Sequence, residues 1–399
     1  MTVEQQFRSD VPEAGSAKRV LAVTGANHAM HDGFSDTLYL LLPLWQAEFG
    51  LSYGAVGIMR ALYSAVMAAF QVPAARLAPR ISPVVLLAGG TALSGLGYML
   101  AGASAGLPLL VISLMLGGLG ASSQHPIGAD LVASAFAGSA ARPALGAYNF
   151  AGDIGKMAFP AGASLLLTFM SWRETAFLIG GIGVVAAIAV LALLPYPPRL
   201  RQAEAESGPR EAGPAPFRTL AGFRTLVAIG IADSATRMGF MTFLPFVLAA
   251  KGASLTQTGM ALTLTFTGGA FGKLACGFIG ARLGVTRTII ATEAGTAALI
   301  ATVLALPVTG ALCVLPLLGT MLNGTSSVVY GSVPDVCAPE SRSRAFGVFY
   351  TATIGAGAFA PIAFGWLTDR IGLWPMAMCV AGTALLTLPL ALSLPRHQH

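Results

Sequence analysis

Charged residues are scarce in this chain of 399 residues, where Asp, Glu, Lys and Arg make up only 10% of the sequence. Soluble domains carry about 25% charged residues, so more than half of the usual solubilising charge is missing. The hydrophobic fraction is 55% and the mean hydropathy is +0.73. A single core surrounded by water cannot hide that much apolar surface, whereas a bilayer can. The shortage of charge therefore excludes a soluble globular protein and predicts an integral membrane protein.

Several motifs and clusters are also lacking. The four cysteines fall inside or at the ends of apolar segments, without disulfide or metal-ligand spacing. The polar N-terminus has no apolar stretch with a cleavage site, which excludes a secretory signal. No HExxH motif occurs, and neither an enzyme nor a cofactor is expected. The net charge of +6 comes from scattered residues, which argues against a nucleic-acid partner.

Runs of about twenty apolar residues can cross the hydrocarbon core as helices, and the chain has about twelve of them. We number them spans 1 to 12 and predict an all-α membrane protein of two pseudo-symmetric six-helix bundles. The predicted spans cover residues 20–48, 53–77, 84–104, 107–136, 143–170, 174–195, 219–250, 255–281, 286–306, 311–336, 343–368 and 374–394.

The distribution of cations predicts the orientation. With both termini in the cytoplasm, cytoplasmic segments hold about sixteen Lys and Arg and periplasmic loops about three, as the positive-inside rule requires. The three periplasmic cations are Arg173, Lys251 and Arg370. We expect a bacterial cytoplasmic (inner) membrane, surrounding lipid and a monomer. The predicted organisation is a cytoplasmic tail (1–19), a six-helix bundle (20–195), a cytoplasmic linker (196–218), a second six-helix bundle (219–394) and a cytoplasmic tail (395–399).

The two halves resemble each other in order along the chain. GASS at 120–123 recurs as GTSS at 324–327, each in the fourth span of its half. Gly33-Phe34 matches Gly239-Phe240, and the fifth spans align so that Phe159 answers to Phe359. A repeat of about 200 residues joined by a linker predicts two parallel bundles that enclose a site near the middle of the membrane.

Span 1 carries an unusual concentration of polar residues. At about 100° per residue, one arc of roughly 140° collects five of them, and Tyr39, a candidate substrate contact, extends the stripe. Ionisable groups at bilayer depth are costly unless they face a cavity or a partner. We interpret this face as proton-coupling, with Asp32 as the preferred proton carrier; a satisfied polar cluster that only packs span 1 is the alternative. The five residues are His28, His31, Asp32, Ser35 and Asp36.

Three further spans carry candidate substrate contacts. His125 in span 4 precedes Pro126 and is expected to contact substrate or to gate, unless it only bonds a carbonyl. Asp153 and Lys156 in span 5 form either an internal ion pair or a site in which Lys156 attracts an anion. In span 7, Asp233 and Arg237 could likewise form an internal ion pair or a substrate site. When Gly33-Phe34 is aligned with Gly239-Phe240, Arg237 takes the position of His31. With Arg60 and Lys273, cations slightly outnumber anions within the predicted spans, which favours an anionic or zwitterionic substrate. Glu293 is expected to be a packing or ion-pair residue.

These residues together resemble the major facilitator superfamily over essentially the whole chain, and more closely its fosmidomycin-resistance branch of bacterial drug exporters. Three segments carry the resemblance, namely the His28-x-x-x-Asp32 pair, the segment Gly118-x-Gly120-Ala-Ser122-x-x-His125-Pro126, and the glycine-rich run of Gly152, Gly155 and Pro160. The resemblance implies export by proton exchange. Gly146, Gly155 and Pro160 also fit the antiporter motif, in which Phe159 replaces a Gly.

The chain departs from this family in places. The loop motif Gly-x-x-x-Asp-Arg-x-Gly, which locks the inward gate, keeps Arg76 after span 2 and Arg282 after span 8 but loses its Asp in both; an intact copy, GWLTDRIG, stands at 365–372. The branch has Asn and Ser where this chain has Asp153 and Lys156, which suggests a different substrate. The predicted gating residues are Arg60, Pro126, Gly146, Gly155, Pro160, Arg76 and Arg282.

The predicted function is a proton-coupled secondary transporter of a small anionic or zwitterionic compound, an efflux antiporter working by alternating access, as in drug resistance. Proton-coupled uptake by symport is the first alternative. Export of a divalent transition metal is another, because His28, His31, Asp32 and Asp36 share a face, although no metal site is assigned. A non-transporting membrane sensor is disfavoured by the lack of a sizeable soluble domain or long tail.

Overall fold

The computed structural model describes residues 14–78, 80–136, 138–194, 220–337 and 342–394. The predicted linker, the C-terminal tail and the first thirteen residues of the N-terminal tail lie outside them. The described part is helical throughout, apart from short connections. Its helices are α1 (Ala14–Phe49), α2 (Tyr53–Leu77), α3 (Pro83–Gly102), α4 (Leu107–Ala121), α5 (Gln124–Ala135), α6 (Ala141–Leu166), α7 (Trp172–Leu193), α8 (Leu220–Ala250), α9 (Leu255–Leu283), α10 (Val285–Ala305), α11 (Val308–Gly331), α12 (Val333–Val336), α13 (Arg342–Ile371), α14 (Leu373–Leu385) and α15 (Thr387–Leu392).

Each predicted span corresponds to one long helical segment of the described chain, which confirms the all-α class. Spans 4, 10 and 12 are each divided in two, into α4 with α5, α11 with α12, and α14 with α15. The break in span 4 falls at Ser122 and Ser123, just before Pro126. Pro126 has no N–H to donate to the carbonyl of Ser122 and its ring clashes there, so the helix cannot continue unbroken.

Apolar composition explains most of these helices as membrane-spanning. Among the described residues, nine helical segments are long and apolar enough to cross a bilayer. Large apolar side chains stay exposed along them, including Val185 at 66% and Ile188 at 63%. Such surface suits contact with lipid rather than with water. The three remaining long helices, α1, α6 and α8, each carry at least two charged residues of the predicted site.

Local sequence signals set several helix ends. Ser171 with Glu174 and Ser254 with Gln257 form capping boxes at the starts of α7 and α9. Gly284, with φ +84°, joins α9 directly to α10. A side chain there would be strained, which explains why the loop motif ends in glycine.

Two predicted periplasmic cations hold the C-terminal ends of helices. Arg173 donates from Nε and from one terminal nitrogen to the Ser104 carbonyl at 3.1 and 2.9 Å, beyond the end of α3. Lys251 donates from Nζ to the carbonyls of Leu304 and Leu306 at 2.8 and 2.5 Å, at the end of α10. Cations are favourable at these ends because the last carbonyls of a helix lack partners.

The chain divides into two compact units. Unit 1 holds the described residues of Met1–Leu41 and Leu62–Arg201, and unit 2 holds those of Leu42–Ala61 and Gln202–His399. The core of unit 1 includes Val84, Leu87 and Ile127, and that of unit 2 includes Phe223, Ile289 and Val329. The C-terminal end of α1 and the first turns of α2 therefore belong to unit 2.

The repeat predicted from sequence recurs in the packing of each unit. In unit 1, the ring of Phe159 on α6 lies over Gly33 on α1. In unit 2, the ring of Phe364 on α13 lies over Gly239 on α8. The residue that packs like Phe159 is thus Phe364, five positions beyond the aligned Phe359, which is 66% exposed. Sequence alignment of apolar helices leaves such shifts unresolved because many registers match equally well.

Candidate functional site

His28 and Asp32 lie one turn apart on the same face of α1, deep inside unit 1. His28 is 3% exposed and Asp32 is 9% exposed. The His28 Nδ1 atom lies 2.9 Å from the backbone oxygen of Tyr148, and because a carbonyl only accepts, Nδ1 carries the hydrogen. The Nε2 atom then faces Asp32 Oδ2 at 3.5 Å. A proton bound at His28 Nε2 or at Asp32 would lie between the two side chains.

Two further side chains reach the same carboxylate from other helices. Lys156 Nζ on α6 lies 3.3 Å from Asp32 Oδ2, and His125 Nε2 on α5 lies 3.8 Å from Asp32 Oδ1. Their side chains are more accessible, at 29% and 44%, than the 12% of Asp32. We call these four residues, His28, Asp32, His125 and Lys156, the Asp32 cluster. It combines one buried carboxylate with a cation and an imidazole that a solute can approach.

Glycines on α6 allow this approach to α1. A Cβ on Gly152 would lie 2.7 Å from Asp32 Oδ2 and 2.8 Å from His28 Cε1. A Cβ on Gly155 would overlap the backbone of Ala29. Because only hydrogen occupies both positions, α6 packs closely enough on α1 for Lys156 to reach Asp32.

Lys156 is the positive centre for several carboxylates. Asp32 acts on it most strongly, and Asp36 and Asp153 act on it as well. The sequence left open an internal ion pair of Asp153 with Lys156. Lys156 forms an ion pair with Asp32 on another helix, while Asp153 contributes to the field around the ammonium.

A hydrogen-bonded network of polar side chains lies beside the cluster. His31 Nε2 lies 3.0 Å from the Thr91 hydroxyl, which donates to Asn27 Oδ1 at 3.0 Å. Asn27 Nδ2 donates to Gln124 Oε1 at 2.6 Å, and Gln124 Nε2 donates to the Tyr148 hydroxyl at 3.0 Å. The network connects α1, α3, α5 and α6, and the Tyr148 ring stacks on His28 at 4.2 Å between centroids. His31 therefore faces Thr91 rather than the Asp32 cluster.

The candidates of α8 lie in a second buried group, within unit 2. Asp233 on α8 is 4% exposed and Glu293 on α10 is 2% exposed, and their carboxyl groups are in hydrogen-bonding contact. Arg237 acts electrostatically on both. The partner of Asp233 is thus another carboxyl group as well as the expected Arg237. Glu293, expected to pack or to form an ion pair, belongs to this group.

The remaining predicted residues are distributed over the helices. Tyr39 and Arg60 are buried, at 2% and 4% exposure, and Pro160 is buried inside the continuous helix α6. Pro126 is half-buried in the first turn of α5, and Gly146 is open, with no atom near its missing side chain. Arg76 and Arg282 are exposed in the last turns of α2 and α9.

Sequence reasoning missed Asn27, Gln124 and Tyr148, which fix the geometry of the cluster. A weak signal was present, since Asn27 and Gln124 stand directly before the assigned residues His28 and His125. The pairing of Lys156 with Asp32 left no local signal, because it joins residues 124 positions apart through the packing of α1 on α6.

Part of the Asp32 cluster has the atoms of a metal site. Ligand atoms of His28, Asp32 and His125 lie within 4.8 Å of one another, and His28 is held through its other nitrogen as metal-bound histidines are. However, Lys156 already places a positive charge 3.3 Å from the same carboxylate. A divalent cation would have to displace that ammonium, so the charge of the site argues against a metal.

Comparisons with known proteins agree with one family. The sequence model described as "Major Facilitator Superfamily" matches residues 26–232 and 226–399. The "Probable L-galactonate transporter" of Escherichia coli (strain K12) is 23% identical over 361 residues, covering 84% of this chain and 79% of that protein.

Two solved structures share the fold. One is a bacterial homologue of the human lysosomal transporter Spinster, in an inward-facing and occupied conformation, with a TM-score of 0.75 at 15% identity over 96% of this chain and 95% of that one. The other is the nucleoside transporter NupG, with a TM-score of 0.77 at 12% identity over 95% of this chain and 100% of that one. At such identities the likeness concerns the fold alone.

Proposed function

This chain belongs to the Major Facilitator Superfamily, and on that premise we propose that it is a proton-coupled carrier of a small organic anion. It is a multi-pass membrane transporter and not an enzyme. The observation that carries the proposal is the ion pair between Lys156 and Asp32 at 3.3 Å. The proposal places it in a bacterial inner membrane with both termini in the cytoplasm, as the cation distribution favours.

The ion pair couples proton binding to anion binding through charge. While Asp32 is ionised, it neutralises much of the Lys156 ammonium. When a proton binds at Asp32 or at the adjacent His28 Nε2, Lys156 loses its main counter-charge and is free to attract a carboxylate. A charge in a poorly solvated site is costly unless it is paired, so the released ammonium favours an anionic substrate.

This linkage favours symport of a proton with an anion. Protonation and anion binding support each other, because both act on the same ion pair in the same direction. Efflux by antiport, implied by the resemblance to the fosmidomycin-resistance branch, needs a substrate that competes with the proton. A cationic group pairing with Asp32 would compete, whereas an anion on Lys156 would not. The symport alternative therefore becomes our leading proposal, and antiport becomes the second.

The accessible imidazole of His125 is proposed to share the substrate with Lys156. Both side chains reach Asp32 from helices other than α1, and both are more exposed than that carboxylate. The relative named as a probable L-galactonate transporter supports an acidic sugar derivative as the substrate class. Arg237 remains a proposed substrate contact of unit 2.

The test is transport by the purified chain in proteoliposomes, with L-galactonate as the first probe and other aldonates and phosphonates as further arms. An acidic exterior should drive accumulation by the wild type. Asp32→Asn should abolish gradient-driven accumulation while counterflow of the same probe continues without pH dependence. Lys156→Met should abolish both. The exposed carboxylate of Asp130 offers a matched control, since Asp130→Asn leaves the Asp32 cluster intact.

Three results would contradict the proposal. Gradient-driven accumulation by Asp32→Asn would remove Asp32 from proton coupling. Emptying of preloaded vesicles by an acidic exterior would establish antiport and export. Transport of Zn²⁺ or Co²⁺ that requires His28 and His125, without transport of any anion in the panel, would establish the metal alternative.

A further inference from the structure

A pair of buried carboxyl groups in unit 2 stands apart from the proposed transport chemistry of the Asp32 cluster. Asp233 on α8 and Glu293 on α10 are 4% and 2% exposed, and their side chains are in hydrogen-bonding contact. A carboxylate can only accept a hydrogen bond, so contact between two carboxyl groups requires a proton on one of them.

The surrounding charges also call for a single proton. Arg237 lies one turn from Asp233 on α8 and acts on both carboxyls. The elements packed against α8 and α10 include α9 and α11 to α15, and α2 contacts α8 through Tyr53, whose ring lies 5.5 Å from that of Phe246. Among the described residues of these elements, Arg237 is the charged side chain that acts on both carboxyls. One guanidinium balances one carboxylate, so the second carboxyl must be neutral to avoid an uncompensated buried charge.

Hydroxyl groups on α11 and α10 lie beside the carboxyl pair. The Thr325 hydroxyl, which is fully buried, lies beside Glu293 and donates to the Thr292 hydroxyl at 2.7 Å. Thr292 in turn donates to the backbone oxygen of Thr288 at 2.9 Å. The Thr325 hydrogen is thus engaged with Thr292, which leaves the contact between Asp233 and Glu293 to a proton of their own.

An unpaired atom remains in this group. Glu293 Oε2 is buried and has no hydrogen-bond partner among the described residues, and the same is true of Arg237 Nε. A buried acceptor without a partner is costly, and protonating Glu293 lowers that cost by removing its charge.

We propose that Asp233 and Glu293 form a second proton-binding site, which holds one exchangeable proton shared between the two carboxyls, with Arg237 balancing the remaining negative charge. The site is separate from the Asp32 cluster, with which it shares no residue. Its occupancy changes the net charge of unit 2 by one.

Infrared difference spectroscopy of the purified full chain tests this directly, through the carbonyl stretching band of a protonated carboxylic acid. The wild type should show the band near neutral pH and lose it on alkaline titration. Glu293→Gln and Asp233→Asn should each lose it entirely, because the one carboxyl left is then ionised beside Arg237. Arg237→Gln should strengthen the band about twofold, since two acids without a cation both stay neutral.

The Asp32→Asn variant separates this site from the proposed transport site. Its spectrum should keep the band, whether or not Asp32 couples protons to transport. Circular dichroism and size-exclusion profiles should match the wild type, because the amide replacements keep side-chain volume. Loss of the band in Asp32→Asn, or its survival in both amide variants of unit 2, would overturn the proposal.

Two other outcomes would also overturn it. A band that persists unchanged to the alkaline limit of the folded protein would make the proton structural rather than exchangeable. Loss of the band at fixed pH when Na⁺ replaces a bulky organic cation would identify a sodium site in its place.

Discussion

Asp369 on α13 caps the start of α2 through Gly54. One carboxylate oxygen accepts from the Gly54 N–H at 2.8 Å, and the other accepts from the Tyr53 N–H at the same distance. The hydroxyl of Ser52 accepts from the N–H of Ala55. Three N–H groups that lack partners at a helix start are thereby satisfied. The Asp of the intact GWLTDRIG segment thus acts as a helix cap within unit 2.

We predict that Asp369→Ala lowers the free energy of unfolding by about 1–2 kcal/mol, because two backbone N–H groups and a favourable charge at the helix start lose their partner. Asp369→Asn keeps one acceptor oxygen, so the free energy of unfolding should fall by about half as much. Unfolding in mixed micelles gives the values, with Ser52→Ala as the comparison that removes a single capping bond. Equal stability of Asp369→Ala and wild type would exclude the cap.

The Asp32–Lys156 pair should show strong energetic coupling. Asp32→Asn and Lys156→Met should each lower the free energy of unfolding by about 3 kcal/mol or somewhat less. The smaller value applies because the Lys156 side chain is 29% accessible and so partly solvated. Lys156→Met should cost more, because it leaves Asp32, Asp36 and Asp153 without their shared cation. The double variant should lose less stability than the two single variants lose together, by about 1–3 kcal/mol. A double-mutant cycle measures this, and strict additivity would refute the pair.

Gly152→Ala should impair transport, because the added methyl group would lie 2.7 Å from Asp32 Oδ2 and 2.8 Å from His28 Cε1. The Asp32 carboxylate must then move away from His28 or from Lys156. Gly162→Ala on the same helix is the matched control, since no atom lies within 4 Å of its Cβ position. It should leave transport unchanged and raise stability by about 0.5–1 kcal/mol. Initial rates of probe uptake compare the two, and equal rates would contradict the close approach.

Gly155 and Gly355 align in the repeat but differ in their surroundings. Gly155→Ala would force a methyl group into the backbone of Ala29, whereas the Cβ position of Gly355 has no neighbour within 4 Å. We expect Gly155→Ala to destabilise the protein by about 1–3 kcal/mol and Gly355→Ala to be neutral or stabilising. Thermal unfolding of both variants checks the difference, and similar shifts would contradict the packing of α6 on α1.

Lys251 should give the protein an alkaline pH dependence. Desolvation at the end of α10 lowers the pKa of Lys251 below its ordinary value. The unfolded chain therefore binds this proton more tightly, and stability should rise as pH increases from the lowered pKa towards about 10.4. Lys251→Arg keeps donors for the carbonyls of Leu304 and Leu306 but does not titrate. Over this pH range the unfolding midpoint should rise less in Lys251→Arg than in the wild type. Parallel curves of midpoint against pH would show that Lys251 is not the titrating group.

Most of the fold could be predicted from the sequence. Apolar runs long enough to cross a bilayer located every long helix, because spanning helices must satisfy their backbone bonds internally. The glycines and prolines marked close contacts and breaks, as at Gly155 and Pro126. The register of the repeat was less certain, and the packing of Phe364 rather than Phe359 was settled only by the three-dimensional structure.

For the candidate site, the sequence by itself determined which side chains are costly in a membrane, and the helical period of α1 placed His28 and Asp32 on one face. Only the tertiary structure decided their partners. Lys156 pairs with Asp32 because Gly152 and Gly155 let α6 pack closely on α1, and Glu293 meets Asp233 because the fold brings α8 and α10 together. Helical periodicity governs neighbours three or four residues apart, whereas the charge balance of a buried site depends on contacts between helices.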